Sequence, residues 1–281
     1  MPNISKLNDI VSQVRRDIVR MVHANNSGHP GGSLGCTEFF TALYFEVMNH
    51  NTNFTMEGIG EDFFFLSNGH ISPVFYSVLA RSGYFNVSEL ATFRKIDSRL
   101  QGHPTTHEGL EGVRIASGSL GQGLSVAIGA AHTKKLNNDD SLVYTLHGDG
   151  ELQEGQCWEA FMYAAGKKVD NLIATIDYNQ KQIDGSIDVV LPMGNLTAKL
   201  EAFDWIVLEE LEGNNVEAVI STLNRAKELT GKEKPVAIIM HTEMGNGVDY
   251  MMGTHKWHGS APNDEQLAEA LSQNPETLGD Y

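Results

Sequence analysis

Apolar residues recur along the chain at two spacings, one typical of helices and the other of buried strands. Residues 4–23 carry leucine, valine and isoleucine on one stripe at helical spacing, which predicts an amphipathic helix. Short apolar runs rich in β-branched and aromatic residues predict five strands, at 63–67, 142–146, 172–178, 205–211 and 235–241. The segments between them predict further helices, at 37–47, 72–80, 88–95, from the loop 117–123 through Leu136, from near Gln153, and at 215–229.

This alternation of strands and helices predicts the fold class. Strands that alternate with helices are typical of α/β proteins, in which a doubly wound, mostly parallel sheet is flanked by helices on both faces. No segment has the composition of a linker, so one domain is expected over residues 1–281.

Composition and charge narrow the classes of partner. The chain has 281 residues, of which 41% are hydrophobic, enough for a substantial core. Its 20 basic and 36 acidic residues give a formal charge of −16, which argues against nucleic acid or an anionic membrane as a general partner. Neither a signal peptide nor a membrane span is recognisable, so a soluble, cytoplasmic protein is expected. Cys36 and Cys157 lie far apart in helical patterns and are predicted to be buried free thiols.

The stretch 142–179 predicts the most specific chemistry. It reads as a strand, a tight turn at Gly148, Asp149 and Gly150, a helix, and a second strand that ends at Asn179. If both strands join one parallel sheet, a right-handed crossover brings Asp149 and Asn179 to the same carboxyl edge. Neighbouring strands lie about 4.8 Å apart, a separation that two oxygens bound to one Mg²⁺ at about 2.1 Å can span.

The turn after the strand 142–146 also suggests how a phosphate is held. The turn has no lysine, so it is not a P-loop, and the positive charge must come from elsewhere. A cation bound by Asp149, Asn179 and a backbone carbonyl just beyond, that of Lys181, would supply it. The N–H groups of Gly150 and Glu151 are then expected to donate to phosphate oxygens at the start of the helix. The alternative, a turn that only reverses the chain and an asparagine that caps a loop, stays open at this point.

Four histidines predict a polar cleft. His29, His70, His103 and His258 each lie beside a glycine in a loop. One such histidine is usually structural, but four of them near a suspected diphosphate site suggest a set of neutral donors and acceptors. None is spaced like a zinc pair. The glycine-rich segment 27–35 around His29 is expected to run as a loop close to a ligand.

Six motifs, in the correct order along nearly the whole chain, resemble one family. They are SGHPGGSLG (27–35), SNGHISPVFYS (67–77), SGSLGQG (117–123), GDGELQEG (148–155), YNQKQIDG (178–185) and THKWHGSAP (254–262). Each resembles a motif of transketolase, in the first domain, which binds the diphosphate end of thiamine diphosphate. The resemblance implies that family's thiamine diphosphate-binding α/β fold.

The resemblance also implies roles for individual residues. The implied ligands of Mg²⁺, or of Ca²⁺ or Mn²⁺ in its place, are Asp149, Asn179 and the carbonyl of Lys181. The implied cofactor-binding residues are His70, Gly118, Ser119, Leu120, Gly150, Glu151, Glu154, Asn179 and His258. Among these, Gly118, Ser119 and Leu120 resemble the stretch along the aminopyrimidine, and Glu154 resembles a carboxylate that links two cofactor sites. The implied catalytic residues, which contact donor hydroxyls and developing charge, are His29, His103 and His258.

The activity implied is the transfer of a two-carbon ketol unit from a ketose phosphate to an aldose phosphate. The family's second and third domains, including the glutamate that activates the cofactor, find no counterpart before Tyr281. The chain therefore resembles the N-terminal subunit of a split transketolase, acting in an α₂β₂ assembly with a partner that carries the pyrimidine-binding domain. Gly32, Ser33, Leu34 and Ser119 depart from the family pattern and bear on substrate choice.

Other functions remain as alternatives. One is a subunit of another thiamine diphosphate enzyme, similar to deoxyxylulose phosphate synthase or to a 2-oxoacid dehydrogenase. The sequence after His70 argues against the synthase, because it lacks that family's His-Gln continuation. Another is a cofactor-binding module that has lost catalytic activity and serves as a scaffold or regulator. A scaffold would need neither Asp149 and Asn179 nor the four histidines.

Overall fold

The computed structural model describes residues 2–281 and contains a central sheet of five parallel strands. The strands of this sheet are β1 (Phe63–Leu66), β2 (Val143–Gly148), β3 (Leu172–Tyr178), β6 (Ile206–Glu210) and β7 (Val236–His241). Their order across the sheet is β1, β2, β3, β7, β6. Two short strands, β4 (Lys181–Gln182) and β5 (Gly185–Ser186), form a separate antiparallel hairpin. The predicted α/β class is confirmed.

Ten α-helices accompany the strands in the described part of the chain. They are α1 (Ile4–Ala24), α2 (Pro30–Gly35), α3 (Thr37–Ala42), α4 (Ser72–Ser82), α5 (Gly123–Leu136), α6 (Gly155–Gly166), α7 (Ile187–Val190), α8 (Leu196–Ala202), α9 (Val216–Leu229) and α10 (Asp264–Gln273). None of the helices described is long and apolar enough to cross a membrane.

Helices cover both faces of the sheet because side chains alternate along each strand. Phe64 and Leu66 of β1 point into one core cluster, with α1, α3, α4 and α9, whereas Phe63 and Phe65 point into a second, with α5, α6 and α8. Burial on both faces explains why the strand sequences are continuous apolar runs instead of alternating ones. This two-sided packing is the doubly wound arrangement.

The segment 27–35 is a correction to the sequence analysis, which expected a loop. Residues Pro30–Gly35 form the buried helix α2, with Pro30 at its first turn, where a missing N–H costs no hydrogen bond. The glycines serve close packing, because a Cβ at Gly31 would lie 2.8 Å from the carbonyl oxygen of Trp257. Tertiary packing therefore outweighs the low helix propensity of glycine here.

Other differences concern helix boundaries and short elements. The predicted helix 37–47 consists of α3 followed by a π-helical turn, Leu43–Val47. The predicted helix 88–95 is a 3₁₀-helix at Val87–Thr92. The helix expected from Gln153 begins at Gly155, after a 3₁₀ turn at Gly150–Gln153. The hairpin β4–β5 and helices α7 and α8 were not predicted, since each is too short to show a clear period. Helix α10 was also missed, although Asn263 and Gln266 form a capping box at its start, which was a signal that could have identified it.

Candidate active site at the carboxyl edge of the sheet

A cleft of about 300 Å³ opens at the carboxyl ends of β1, β2 and β3. Most of the sequence-predicted site residues line it, together with residues that the sequence analysis did not select. The lining residues are His29, Gly32, Asn68, His70, His103, Gly118, Leu120, Gly148, Asp149, Gly150, Glu151, Asp177, Asn179, Lys181, Gln182, Ile183 and His258. Ligands of α/β proteins bind at this edge.

Asp149 and Asn179 are brought together as the crossover argument predicts. Strands β2 and β3 pair in parallel with Gly148 opposite Asp177, so the residues that follow each strand meet at the edge. Asp149 is 1% exposed, and its Oδ2 accepts the backbone N–H of Gln180 at 2.5 Å, directly beside Asn179. Asn179 Oδ1 accepts the N–H of Lys181 at 2.9 Å. Asp149, Asn179 and Lys181 therefore meet at one turn, residues 179–181, which these two hydrogen bonds hold.

Asp177 is a functional candidate that the sequence analysis missed. It is 2% exposed near the end of β3, and its Oδ2 accepts a hydrogen bond from Nδ2 of Asn179 at 2.8 Å. Its other oxygen accepts from the hydroxyl of Thr242. Because Nδ2 is engaged with Asp177, the amide oxygen of Asn179 is the end left to face a cation. A carboxylate inside an otherwise apolar run was the signal that could have identified it.

The two buried carboxyl groups favour a cation between or beside them. Burial raises the pKa of Asp149 well above its usual range, and the neighbouring Asp177 raises it further. Burial likewise raises the pKa of Asp177 against the hydrogen bonds from Thr242, Cys36 and Asn179. A bound divalent ion would remove this penalty, since it stabilises the ionised carboxylate.

The chemistry of the donor set fits a hard cation. Asp149, the amide oxygen of Asn179 and a backbone carbonyl are oxygen donors, as Mg²⁺ requires. Clusters of three or more His, Cys, Asp or Glu side chains suited to a metal are absent from residues 2–281. The predicted ligand set has one carboxylate, one amide oxygen and one backbone carbonyl, so it does not belong to this class of cluster.

Gly150 and Glu151 differ in detail from the prediction that their N–H groups meet phosphate at a helix start. They lie in the 3₁₀ turn, and the N–H of Gly150 donates to Oδ1 of Asp149 at 2.7 Å. Gly150 lies against the β4–β5 hairpin, because a Cβ there would lie 3.2 Å from Cβ of Gln182.

The carboxylate of Glu151 is buried, and Gly121, Gly148 and Ser67 donate hydrogen bonds to it. Burial opposes its ionisation, but His147 and these donors hold the pKa of Glu151 below its usual range.

The four histidines form one cluster, as the sequence analysis expected. The ring centroid of His29 lies 5.2 Å from that of His70, 6.2 Å from that of His103 and 5.6 Å from that of His258. His70 and His258 are 5.0 Å apart. His29 precedes α2, His70 lies in the turn after β1, and His103 and His258 lie in loops, so the cluster depends on tertiary structure.

Burial keeps these histidines neutral. It lowers the pKa of His29 to about 4, and His258, Arg94 and His103 add to the shift. Burial also lowers the pKa of His70 well below its usual range, and lowers those of His103 and His258. At neutral pH the cluster therefore offers uncharged donors and acceptors, which suits hydroxyl recognition.

The loop 117–123 forms another wall of the cleft. Gly118 and Leu120 line the cleft, and Gly118 lies beside His103, whose Cβ would be 3.7 Å from a Cβ at position 118. Ser119 is exposed and is not among the lining residues. Glu154 is also exposed, at the start of α6 beside Gly121, and lies outside the cleft. The roles assigned to these residues by resemblance stay predictions.

Two buried polar atoms of cleft residues have no hydrogen-bond partner in the protein. Among residues 2–281, Oδ1 of Asn68 and Nδ1 of His29 are buried and make no hydrogen bond. Both residues line the cleft. Such atoms cost stability unless a ligand or water satisfies them. Leu120 and Ile183 add apolar surface, so the lining fits a ligand with both an apolar and a polar part.

Comparison with known proteins agrees with this geometry. Residues 6–276 match the family described as "Transketolase, thiamine diphosphate binding domain". The chain is 38% identical over 264 residues to a protein of Phocaeicola vulgatus named as a subunit of apulose-4-phosphate transketolase, covering 94% of this chain and 92% of that protein. It is 36% identical to "6-deoxy-6-sulfo-D-fructose transketolase subunit SqwG" of Clostridium sp. strain MSTE9, covering 88% of each.

Comparison with solved structures also gives a match to transketolase. Transketolase from Campylobacter jejuni is similar with a TM-score of 0.89 and 34% identity, covering 97% of this chain but 43% of the transketolase chain. The chain thus spans less than half of that transketolase, and about nine-tenths of the subunit relatives. The structure is that of an α/β protein with a ligand-sized cleft at the carboxyl edge of its parallel sheet. The chain belongs to the transketolase family, in which it is a thiamine diphosphate-binding domain, and it is an enzyme of the transketolase kind.

Proposed function

We propose that this chain binds thiamine diphosphate through Mg²⁺ and, with a partner subunit, transfers two-carbon ketol units between sugar phosphates. The observation that carries the proposal is the joint placement of Asp149 and Asn179 at the ends of adjacent strands, with Asp177 orienting the amide. This arrangement supplies oxygen donors for a hard cation next to the cleft. The family match favours this function over the synthase, dehydrogenase and non-catalytic alternatives.

The proposed cation ligands are Asp149, the amide oxygen of Asn179 and the carbonyl of Lys181. His70, Gly150, Glu151 and His258 are proposed to meet the diphosphate, as sequence resemblance implies. Gly118, Ser119 and Leu120 are proposed to lie along the aminopyrimidine, and Glu154 to link two cofactor sites. When bound, thiamine diphosphate supplies the nucleophilic carbon and the electron sink needed to break the bond beside a ketose carbonyl.

The histidines are proposed to bind and orient the sugar. His29, His103 and His258 are neutral, so each offers one ring N–H as a donor and one ring nitrogen as an acceptor. A neutral donor can stabilise negative charge on a carbonyl oxygen without binding it too tightly before the reaction. The unsatisfied Nδ1 of His29 is available for such a contact.

A partner subunit is supported by the relatives whose whole length the chain nearly matches. Those proteins are named as transketolase subunits, and the chain covers 92% and 88% of them. We propose a partner that carries the pyrimidine-binding domain, in an α₂β₂ assembly in the cytoplasm. The sugar phosphates of pentose phosphate metabolism are the proposed substrates.

The test is reconstitution. The chain would be co-purified with a candidate partner and assayed for ketol transfer between ketose and aldose phosphates, with and without thiamine diphosphate and Mg²⁺. Activity that requires both additions is expected, and it should disappear in Asp149→Ala but not in Glu201→Gln, an exposed glutamate on α8. Full activity of Asp149→Ala would refute the assigned cation site.

A further inference from the structure

Glu151 lines the cleft, and its buried carboxylate accepts hydrogen bonds from three separate segments. It is 2% exposed, and Nδ1 of His147 lies 3.5 Å from its Oε1. Its Oε1 accepts the N–H of Gly121 at 2.9 Å and the hydroxyl of Ser67, and its Oε2 accepts the N–H of Gly148 at 3.1 Å. These donors lie in the loop 117–123, after β1 and at the end of β2.

Ser67 extends the same network to the start of α5. Its hydroxyl oxygen accepts the N–H of Gly123 at 3.1 Å while the hydroxyl donates to Glu151. The segments are also in close contact, because a Cβ at Gly123 would lie 2.4 Å from the side chain of Ser67, and one at Gly69 would lie 2.1 Å from the carbonyl oxygen of Ser117. Hydrogen bonds and packing therefore hold the loop 117–123 at both ends.

We propose that Glu151 is a positioning residue, whose carboxylate fixes the loop bearing Gly118 and Leu120 relative to the ends of β1 and β2. This inference rests on the proposed function, because Gly118 and Leu120 matter as the wall along the cofactor. The loop itself is exposed at Gly118, Ser119 and Leu120 and has no regular structure, so its position depends on these anchors. The turn at residues 148–150 predicts that the backbone N–H of Glu151 meets a phosphate, and this proposal adds a role for its side chain.

A carboxylate suits this position because the three groups that hydrogen-bond to it are all donors. Two backbone N–H groups and one hydroxyl point at its two oxygens. An amide at this position would present an NH₂ group to at least one of these donors, which leaves a buried pair unsatisfied. Glu151→Gln therefore changes hydrogen bonding while keeping the volume of the side chain.

The test uses the full chain and two variants, Glu151→Gln and Ser67→Ala, with Glu201→Gln as the matched control. Hydrogen–deuterium exchange would be followed in the peptide 115–124 and in peptides from α1 and α9. Both variants are expected to speed exchange in 115–124 by about 10-fold or more, with α1 and α9 unchanged, because local opening replaces a fixed loop. The double variant should show less than the sum of the two effects, since both act on one network.

Ligand titration distinguishes a loss of loop positioning from a general loss of structure in the cleft. Magnesium thiamine diphosphate contains the aminopyrimidine that the loop would contact, whereas magnesium pyrophosphate does not. Ser67→Ala leaves the Glu151 bond to Gly148 intact, so it should weaken thiamine diphosphate binding several-fold and change pyrophosphate binding less than about twofold. Equal weakening of both ligands would mean a structural role only and would overturn the proposal.

Two further outcomes keep this proposal distinct from the proposed function. Unchanged exchange in 115–124 in both variants would overturn the positioning role, whatever the chain binds. If the unsubstituted chain bound no thiamine diphosphate with or without its partner, the proposed function would fail, and the exchange experiment would still decide whether Glu151 fixes the loop.

Discussion

The side-chain amide nitrogen of Asn179 donates a hydrogen bond to Oδ2 of Asp177 at 2.8 Å, which leaves the amide oxygen, the acceptor of the Lys181 N–H, as the end available to a cation. Asp177 is itself held by the hydroxyl of Thr242 and lies opposite Gly148 in the sheet. The orientation of Asn179 therefore depends on a carboxylate that is not a proposed cation ligand. Such supporting partners commonly change metal affinity strongly when they are removed.

Asp177→Ala is expected to weaken Mg²⁺-dependent binding of thiamine diphosphate by about 10- to 100-fold, because Asn179 loses its orienting acceptor. Calorimetric titration with the cofactor and Mg²⁺ measures this, and thermal unfolding without ligand checks that the variant is folded. Glu201→Gln is the control and should bind normally. Binding by Asp177→Ala within about twofold of the unsubstituted chain would show that Asn179 is oriented without it.

Asp149→Ala is expected to abolish Mg²⁺-dependent cofactor binding, since a methyl group leaves the diphosphate without a bridging cation in an acidic protein. It should also remove the rise in melting temperature that Mg²⁺ and cofactor give the unsubstituted chain, because ligands stabilise only the state that binds them. Calorimetry and scanning fluorimetry are the measurements. A normal ligand-induced shift in the variant would contradict the assignment.

The parts of the site that follow from chain connectivity could be predicted from sequence. Asp149 and Asn179 each end an apolar run, and parallel pairing alone brings such positions to one edge. Asp177 could not be assigned in this way, because its significance depends on its partners Asn179 and Thr242, which only the fold defines.

Local sequence also failed where packing outweighs propensity. Three glycines in 30–35 favour a loop by composition, yet α2 forms because Gly31 packs against the carbonyl of Trp257, more than 200 residues later. The hydrogen bonds of the Glu151 carboxylate likewise could not be predicted, since its partners Ser67 and Gly121 are distant in sequence. Motif resemblance identified the position of the site, and tertiary contacts determine how its walls are held.

His103→Ala is expected to reduce use of the ketose while leaving cofactor affinity within a few-fold. His103 is the histidine of the cluster that is most open to solvent, and it lies beside Gly118 at the cleft wall. Loss of one hydrogen bond to a sugar hydroxyl should cost about 1 to 3 kcal/mol, or about 10- to 150-fold in kcat/KM. Steady-state kinetics in the reconstituted enzyme measures this. A cofactor-binding defect of that size would show instead that His103 serves the cofactor.

The pH dependence of stability should report the buried histidine cluster. Burial lowers the pKa of His29 to about 4, below the 6.5 of an unburied histidine, so the unfolded chain binds more protons between these values. The stability contributed by neutral His29 is therefore present above pH 6.5 and is lost as pH falls towards 4. Urea unfolding between pH 7 and 4 should show a shallower decline for His29→Asn than for the unsubstituted chain. An identical decline would mean that His29 is not neutral in the folded protein.

Assembly is the last expectation, and it rests on the apolar surface around the open cleft. Leu120 and Ile183 line the cleft and are 37% and 55% exposed, and Val189 and Leu191, which follow the β4–β5 hairpin in sequence, are 81% and 53% exposed. Exposed apolar residues grouped at a ligand site are typical of a surface that a partner covers. We expect the chain alone to show little ketol transfer, and the complex to have the mass of an α₂β₂ assembly with an interface larger than about 1,600 Å². Light scattering and activity would be measured as partner is added.

Val189→Asp should raise the partner concentration needed for half-maximal activity without lowering the maximal activity. Ile59→Asp should have no effect, because Ile59 lies before the amino end of β1 and is 89% exposed in the unsubstituted chain. Robust turnover by the chain without any partner would overturn the two-subunit proposal.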